Sequence, residues 1–200
     1  LRYLEQNENL FWVIITKVKI NNVYDKSFVK KRNDKIKKVK KEYNFKKVFQ
    51  LNIEPSAINK SNSLQIIKKI KKIFNEVKPN IIFSPYENDV HTDHQILSTA
   101  IQSNIKWFRQ SSLNEVFLYE TLSETNFNRF SKDTFRPNTY INISKFINKK
   151  MSIMKIYKSE IKKHPFPRSL KAIESLAVLR GSESGFKAAE AFISIYKSIK

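Results

Sequence analysis

The sequence predicts an α/β domain built on a mainly parallel central sheet, and three observations carry that prediction. Short apolar runs rich in β-branched and aromatic residues, at residues 10–15 and 81–83, read as strands buried on both faces, as strands of parallel sheets are. Between such runs lie segments with apolar residues at helical spacing. Helix, short loop and buried strand then alternate repeatedly, which is the order of a parallel α/β sheet. With 200 residues, no internal repeat and no linker long enough to divide it, the chain reads as one domain over residues 1–200.

Residues 10–15, Leu-Phe-Trp-Val-Ile-Ile, form the first strand of this reading. Residues 28–43 are highly charged, yet Ile36, Val39 and Tyr43 fall at helical spacing and predict a solvent-facing helix with a narrow apolar stripe. Residues 48–53 read as a second strand. Ser61, Asn62 and Ser63 offer N-cap side chains, and Ile66, Ile67, Ile70, Ile73, Phe74 and Val77 follow in the pattern of an amphipathic helix that Pro79 closes. Residues 81–83 make a third strand ending at Ser84-Pro85. Thr92 or Asp93 can cap a further helix carrying Leu97, Ala100, Ile101, Ile105 and Phe108. Residues 115–119 and 139–143 look like strands, and residues 146–161 and 170–179 like helices, the second stopped by Gly181.

Composition excludes several classes. The absence of cysteine removes disulfide scaffolds and thiolate metal sites, and permits a reducing compartment such as the cytoplasm. No apolar run approaches the roughly 20 residues of a membrane-spanning helix, and the polar opening Leu1-Arg2-Tyr3-Leu4-Glu5 does not read as a signal peptide. The net charge of +20 invites a nucleic-acid reading. Against it, the cations are mostly Lys rather than the bidentate Arg, and the stretch 79–144 carries 5 basic and 7 acidic side chains. The basic charge therefore belongs to flanking helices, and no specific nucleic-acid partner is expected.

Chemistry concentrates in Asp89-Val90-His91-Thr92-Asp93-His94, directly after a buried strand, where α/β sheets bind their ligands. Imidazole suits zinc or ferrous iron, and a carboxylate between two histidines can bind metal or orient an imidazole. Histidine also suits proton transfer near neutrality. The plainer alternative is that Asp93 is only an N-cap and the histidines are loop residues with satisfied hydrogen bonds. His164, in a proline-bounded loop, is a further ligand candidate or a structural residue.

The segment Pro79-Asn80-Ile81-Ile82-Phe83-Ser84-Pro85, with Asp89 and His-Thr-Asp-His at 91–94, resembles the second metal motif of the LmbE/PIG-L family of N-acetylglucosaminyl deacetylases. Tyr157-Lys158-Ser159-Glu160, His164 to Ser169, Arg180-Gly181 and Ala189-Glu190-Ala191-Phe192 look like the C-terminal part of bacterial members, and Phe135-Arg136-Pro137-Asn138 with Tyr140-Ile141-Asn142-Ile143 like the strand before the late helix. The resemblance implies a Rossmann-like (LmbE-like) sandwich and a divalent metal, usually zinc, that activates water to remove an acetyl group from an amino sugar. It implies that His94 ligates the metal, that His91 stabilises the tetrahedral intermediate or protonates the leaving amine, and that Asp93 orients His91. Arg32 stands near a substrate-contacting arginine of the family, although Lys35 replaces the acidic residue expected three positions later. The family's first strand, ending in a His-Pro-Asp-Asp-like motif with further ligands and the general base, has no counterpart in the sequence. The expectation is a chain lacking that strand and inactive by itself. The competing expectation, from a different functional class, is a non-catalytic basic binding protein or a degenerate family member.

Overall fold

The computed structural model describes residues 2–6, 8–54, 58, 62–129 and 134–199. Their order is α1 (Arg2–Glu5), β1 (Phe11–Thr16), α2 (Lys26–Glu42), β2 (Lys47–Ile53), α3 (Ser63–Val77), β3 (Ile81–Pro85), α4 (Thr92–Gln102), β4 (Glu115–Tyr119), β5 (Thr139–Asn142), α5 (Ile147–Met154), α6 (Leu170–Ser182) and β6 (Ala189–Lys197). Short 3-10 turns occupy Thr125–Phe127 and Lys155–Glu160. Strands β1 and β2 pair in parallel, and β3 and β4 do the same. The second sheet continues β3-β4-β6-β5, with both ladders of β6 antiparallel. The fold is α/β as the sequence predicts, with mixed pairing because of β6.

Local signals explain most boundaries. Asp25 caps α2 by accepting from the Phe28 N–H at 2.6 Å. Asn62 stands at the N-cap position of α3, while Ser61 lies outside the described residues. Lys78 adopts a left-handed conformation (φ 49°) that ends α3, and Pro79 follows. In β2, Asn52 has φ 57° where the register against β1 slips by one residue, a bulge that an asparagine tolerates.

The period of two along β3 and β4 separates two packed faces. Ile82 and Val116 are register partners in the main core, where Ile66, Ile70, Ile73 and Phe74 of α3 meet Ala100 and Ile101 of α4. Val13 and Ile15 of β1 join the same core, so both sheets share it. The alternate residues Phe83 and Phe117 stack at 5.4 Å and meet Phe192 of β6. A smaller cluster of Ile143, Ala177 and Ala188 ties α6 to the β5–β6 end.

Four expectations change. The N-cap of α4 is His91, not Thr92 or Asp93, and α4 ends at Gln102, which leaves Ile105 and Phe108 in the following loop. The helix expected over 146–161 breaks after Met154 into a 3-10 segment in which Tyr157 leaves helical geometry (φ −94°, ψ 47°). Gly181 does not stop α6, which runs through it to Ser182. A Cβ there would lie 2.5 Å from the Phe186 carbonyl oxygen and 2.9 Å from Ala188, so glycine answers a close backbone approach. Finally, residues 189–197 are a strand paired on both sides, read from the sequence only as part of a family motif.

Candidate functional site

The loop after β3 and the start of α4 bring Asp89, His91, Asp93 and His94 together. The carboxylate of Asp89 is fully buried, at 0% exposure, and is held at both oxygens. Its Oδ2 lies 2.7 Å from His94 Nδ1, and its Oδ1 accepts from the Thr125 hydroxyl at 2.6 Å. Thr125 Oγ1 in turn accepts from the main-chain N–H of Thr121 at 2.7 Å. The Thr125 proton must therefore point to Asp89. The Asp89 carbonyl also accepts from the Gln95 amide at 2.6 Å, which locks the loop to the helix.

This chain of bonds decides a tautomer. A carboxylate only accepts, so His94 carries its proton on Nδ1 and turns the Nε2 lone pair outward. A buried carboxylate behind an imidazole is the arrangement that orients a metal-ligating histidine. Asp89 also acts on Tyr119 at the end of β4, whose hydroxyl is pushed up to about 12, first by burial and then by the Asp89 charge.

His91 caps α4 with its side chain, Nδ1 accepting from the Asp93 main-chain N–H at 3.2 Å. Its proton is then on Nε2, and its ring stacks on that of His94 with centroids 5.0 Å apart. Asp93 holds His91 through its backbone; its carboxylate has no hydrogen-bond partner among the described residues.

Arg32 sits on α2, where its charge favours ionisation of the Tyr157 hydroxyl; burial outweighs it and keeps that hydroxyl above its ordinary range. No hydrogen bond or ion pair joins Arg32 to residues 89–94 among the described residues. His164 lines a cavity of about 470 Å³ with Lys155, Lys158, Lys162, Lys163 and Lys171, and no residue of 89–94 belongs to it. Arg168 stands closer to the site, donating to Ser123 Oγ at 2.9 Å with Glu124 at 3.9 Å, beside the Thr125 that holds Asp89. Beyond β4, Arg180 makes a bidentate pair with Glu120, at 2.8 and 2.7 Å, and its pKa is raised chiefly by those bonds.

The sequence reading left Thr125 and Tyr119 unnoticed. A lone threonine in a loop carries no spacing signal, and a tyrosine ending a strand reads as core. Asp89 was visible within the motif, but its partnership with His94 needs the turn between them. As for a metal, His94 offers one well-held imidazole nitrogen, while no three His, Asp or Glu side chains are placed so that they could hold a metal ion together among the described residues. The donor set fits one ligand position of a metal site and does not complete one by itself.

The family model described as PIG-L, GlcNAc-PI de-N-acetylase, matches residues 1–105, just over half of the chain. No curated protein sequence matches. The N,N'-diacetylchitobiose deacetylase from Pyrococcus horikoshii has a similar structure, with a TM-score of 0.74 at 15% identity, covering 98% of this chain and 76% of that one. A teicoplanin deacetylase, solved in a zinc-inhibited form, gives 0.71 at 11% identity over 100% and 92%. A 4-carboxy-2-hydroxymuconate hydratase from Pseudomonas putida gives 0.72 at 13% identity over 100% and 89%, so the same fold also carries other chemistry. With the family model spanning more than half of its length, the chain belongs to the PIG-L family of GlcNAc-PI de-N-acetylase-like proteins.

Proposed function

We propose that the protein is a metal-dependent hydrolase that removes the N-acetyl group from an N-acetylglucosamine-type sugar or sugar conjugate. The observation that carries this reading is the buried Asp89 carboxylate that fixes the His94 tautomer, in a chain of a deacetylase family. His94 Nε2 is one metal ligand, and zinc, or another divalent ion such as ferrous iron, supplies when bound an electrophile and an acidified water. Two of the similar structures are deacetylases, one of them solved in a zinc-inhibited form, which supports amide hydrolysis over hydration.

In the proposed reaction water adds to the acetamide carbon, the carbon–nitrogen bond breaks, and acetate and a free amine leave. His91 serves this chemistry with the proton on Nε2, donating to the amide oxygen as it gains charge or passing the proton to the departing nitrogen. Asp93 keeps that imidazole in place through its main-chain N–H. Arg32 is a contact for the substrate. The protein works in the cytoplasm on a small molecule or glycoconjugate and has no specific nucleic-acid partner; the Lys side chains of α2 are a solvated face.

The test is acetate release from simple N-acetylglucosaminides by the intact protein, before and after chelation and after zinc is restored. The reading expects loss and recovery of turnover. Turnover that ignores the chelator would refute the metal, and a metal-loaded protein inert on every N-acetyl sugar would refute the reaction.

A further inference from the structure

The loop between α4 and β4 carries two exposed aromatic side chains in succession, Trp107 at 72% and Phe108 at 62% exposure. Adjacent large rings left in water are uncommon and mark contact surfaces. The loop lies along α3: Asn104 donates to the Ile67 carbonyl at 3.1 Å, and Gln110 bonds Asn75 at 3.5 Å. Ile67, Lys71 and Asn75 stand one above another at four-residue intervals, so Lys71 lies between the two attachments, and Trp107 and Phe108 belong to the segment that spans them. Lys68 and Lys72 share that side of α3 and are exposed, as is Leu64 at 70%.

Basic side chains predominate on this surface, and Glu76 near the end of α3 is paired with Lys47. No Asp or Glu occurs between Glu54 and Glu76 or between Asp93 and Glu115. Lys106 and Arg109 flank the two rings, and none of Lys68, Lys71, Lys72, Lys106 and Arg109 is in an ion pair among the described residues. Arg109 keeps its guanidinium 5.7 Å from the Phe108 ring. The loop also closes on the amino ends of β3 and β4, where Asn114 donates to the Asn80 carbonyl at 2.7 Å. Residues 89–94 and 120–125 follow the carboxyl ends of the same strands, so contact at the aromatic loop leaves the candidate site open.

We propose that this surface docks on an anionic phospholipid bilayer, with Trp107 and Phe108 entering the headgroup and upper acyl region and the five cations resting on the lipid phosphates. Amphipathic aromatic rings prefer that depth, and each nearby Lys or Arg adds attraction to an anionic leaflet. Two alternatives fit less well. The rings meet edge to face, at 87°, which offers no parallel platform for successive bases of a nucleic acid. A second copy would bring a second net charge of +20 against the same unneutralised patch.

The experiment is co-sedimentation of the full chain with phosphatidylcholine vesicles containing about 30 mol % phosphatidylglycerol, and with pure phosphatidylcholine, at about 0.15 M salt. Trp107 fluorescence is read in parallel in a Trp12→Phe background, with circular dichroism as the check on folding. The proposal expects binding to the anionic vesicles alone, a blue shift of Trp107, and partitioning at least about 10-fold weaker in Trp107→Ala/Phe108→Ala and in Lys106→Gln/Arg109→Gln. Unchanged binding of the folded aromatic variant would reduce the effect to bulk charge and overturn the proposal. So would failure to bind anionic vesicles, whether the aromatic pair then proves to govern self-association or binding to an oligothymidylate.

Discussion

Replacing Asp89 by Asn separates folding from metal binding because the surrounding bonds dictate how the new amide must sit. Thr125 accepts a hydrogen bond from the Thr121 N–H and must donate its own proton to the other side, so the Asn oxygen has to stay on the Thr125 side. The NH2 group then faces His94 Nδ1, 2.7 Å away in the native protein, and a donor there forces Nδ1 to accept. The imidazole proton moves to Nε2, the nitrogen proposed to hold the metal. Stability changes little, by about 1 kcal/mol, since two charge-assisted bonds become neutral while a buried charge is removed. Metal affinity falls by about 10- to 100-fold, as when an orienting partner of a ligand histidine is lost. Asp89→Ala instead strands two donors, the Thr125 hydroxyl and His94 Nδ1–H, at about 1–3 kcal/mol each, or about 2–6 kcal/mol together. The assays are urea unfolding, zinc titration against a competing chelator, and ¹⁵N shifts of the His94 ring. An Asn variant that binds zinc as tightly as the native protein, with the proton still on Nδ1, would refute the reasoning.

Other consequences are open to simpler measurements. His91→Ala is expected to lower deacetylation by about 100-fold or more while zinc content is retained, and parallel loss of both would make His91 a ligand rather than a proton donor. Gly181→Ala is expected to destabilise by about 2–4 kcal/mol, because its Cβ meets backbone at 2.5 and 2.9 Å, whereas Gly185→Ala, in open space at φ 74°, costs about 1 kcal/mol; equal urea midpoints for the two would contradict the packing argument. Burial holds the hydroxyls of Tyr43 and Tyr119 at about 12, above their ordinary value of 10.0. The unfolded chain therefore releases these protons first as pH rises, and stability declines from about pH 10 to 12, by about 1.4 kcal/mol per pH unit for each tyrosine. Tyr119→Phe should lessen that slope in urea titrations, and an unchanged slope would mean that Tyr119 ionises freely.

The sequence by itself determined the α/β class, because period 3.6 in α3 and unbroken apolar runs in β1 and β3 are properties of neighbouring residues. It also determined where the candidate histidines sit, since His91 and His94 follow a buried strand within one short segment. Tertiary structure decided what spacing cannot express. Strand β6 hides its nature in Ala-Glu-Ala-Phe-Ile-Ser-Ile, a pattern that takes meaning only from β4 and β5 on either side. Gly181 reads as a helix stop until Phe186 and Ala188 are brought against it. Asp93, expected to orient His91, meets that ring through its main-chain N–H. Asp89 reaches His94 because the turn into α4 brings its carboxylate to Nδ1, while Thr125, 36 residues away, occupies the other oxygen. A buried carboxylate needs hydrogen-bond donors at both oxygens, and only the folded chain can gather them from separate loops.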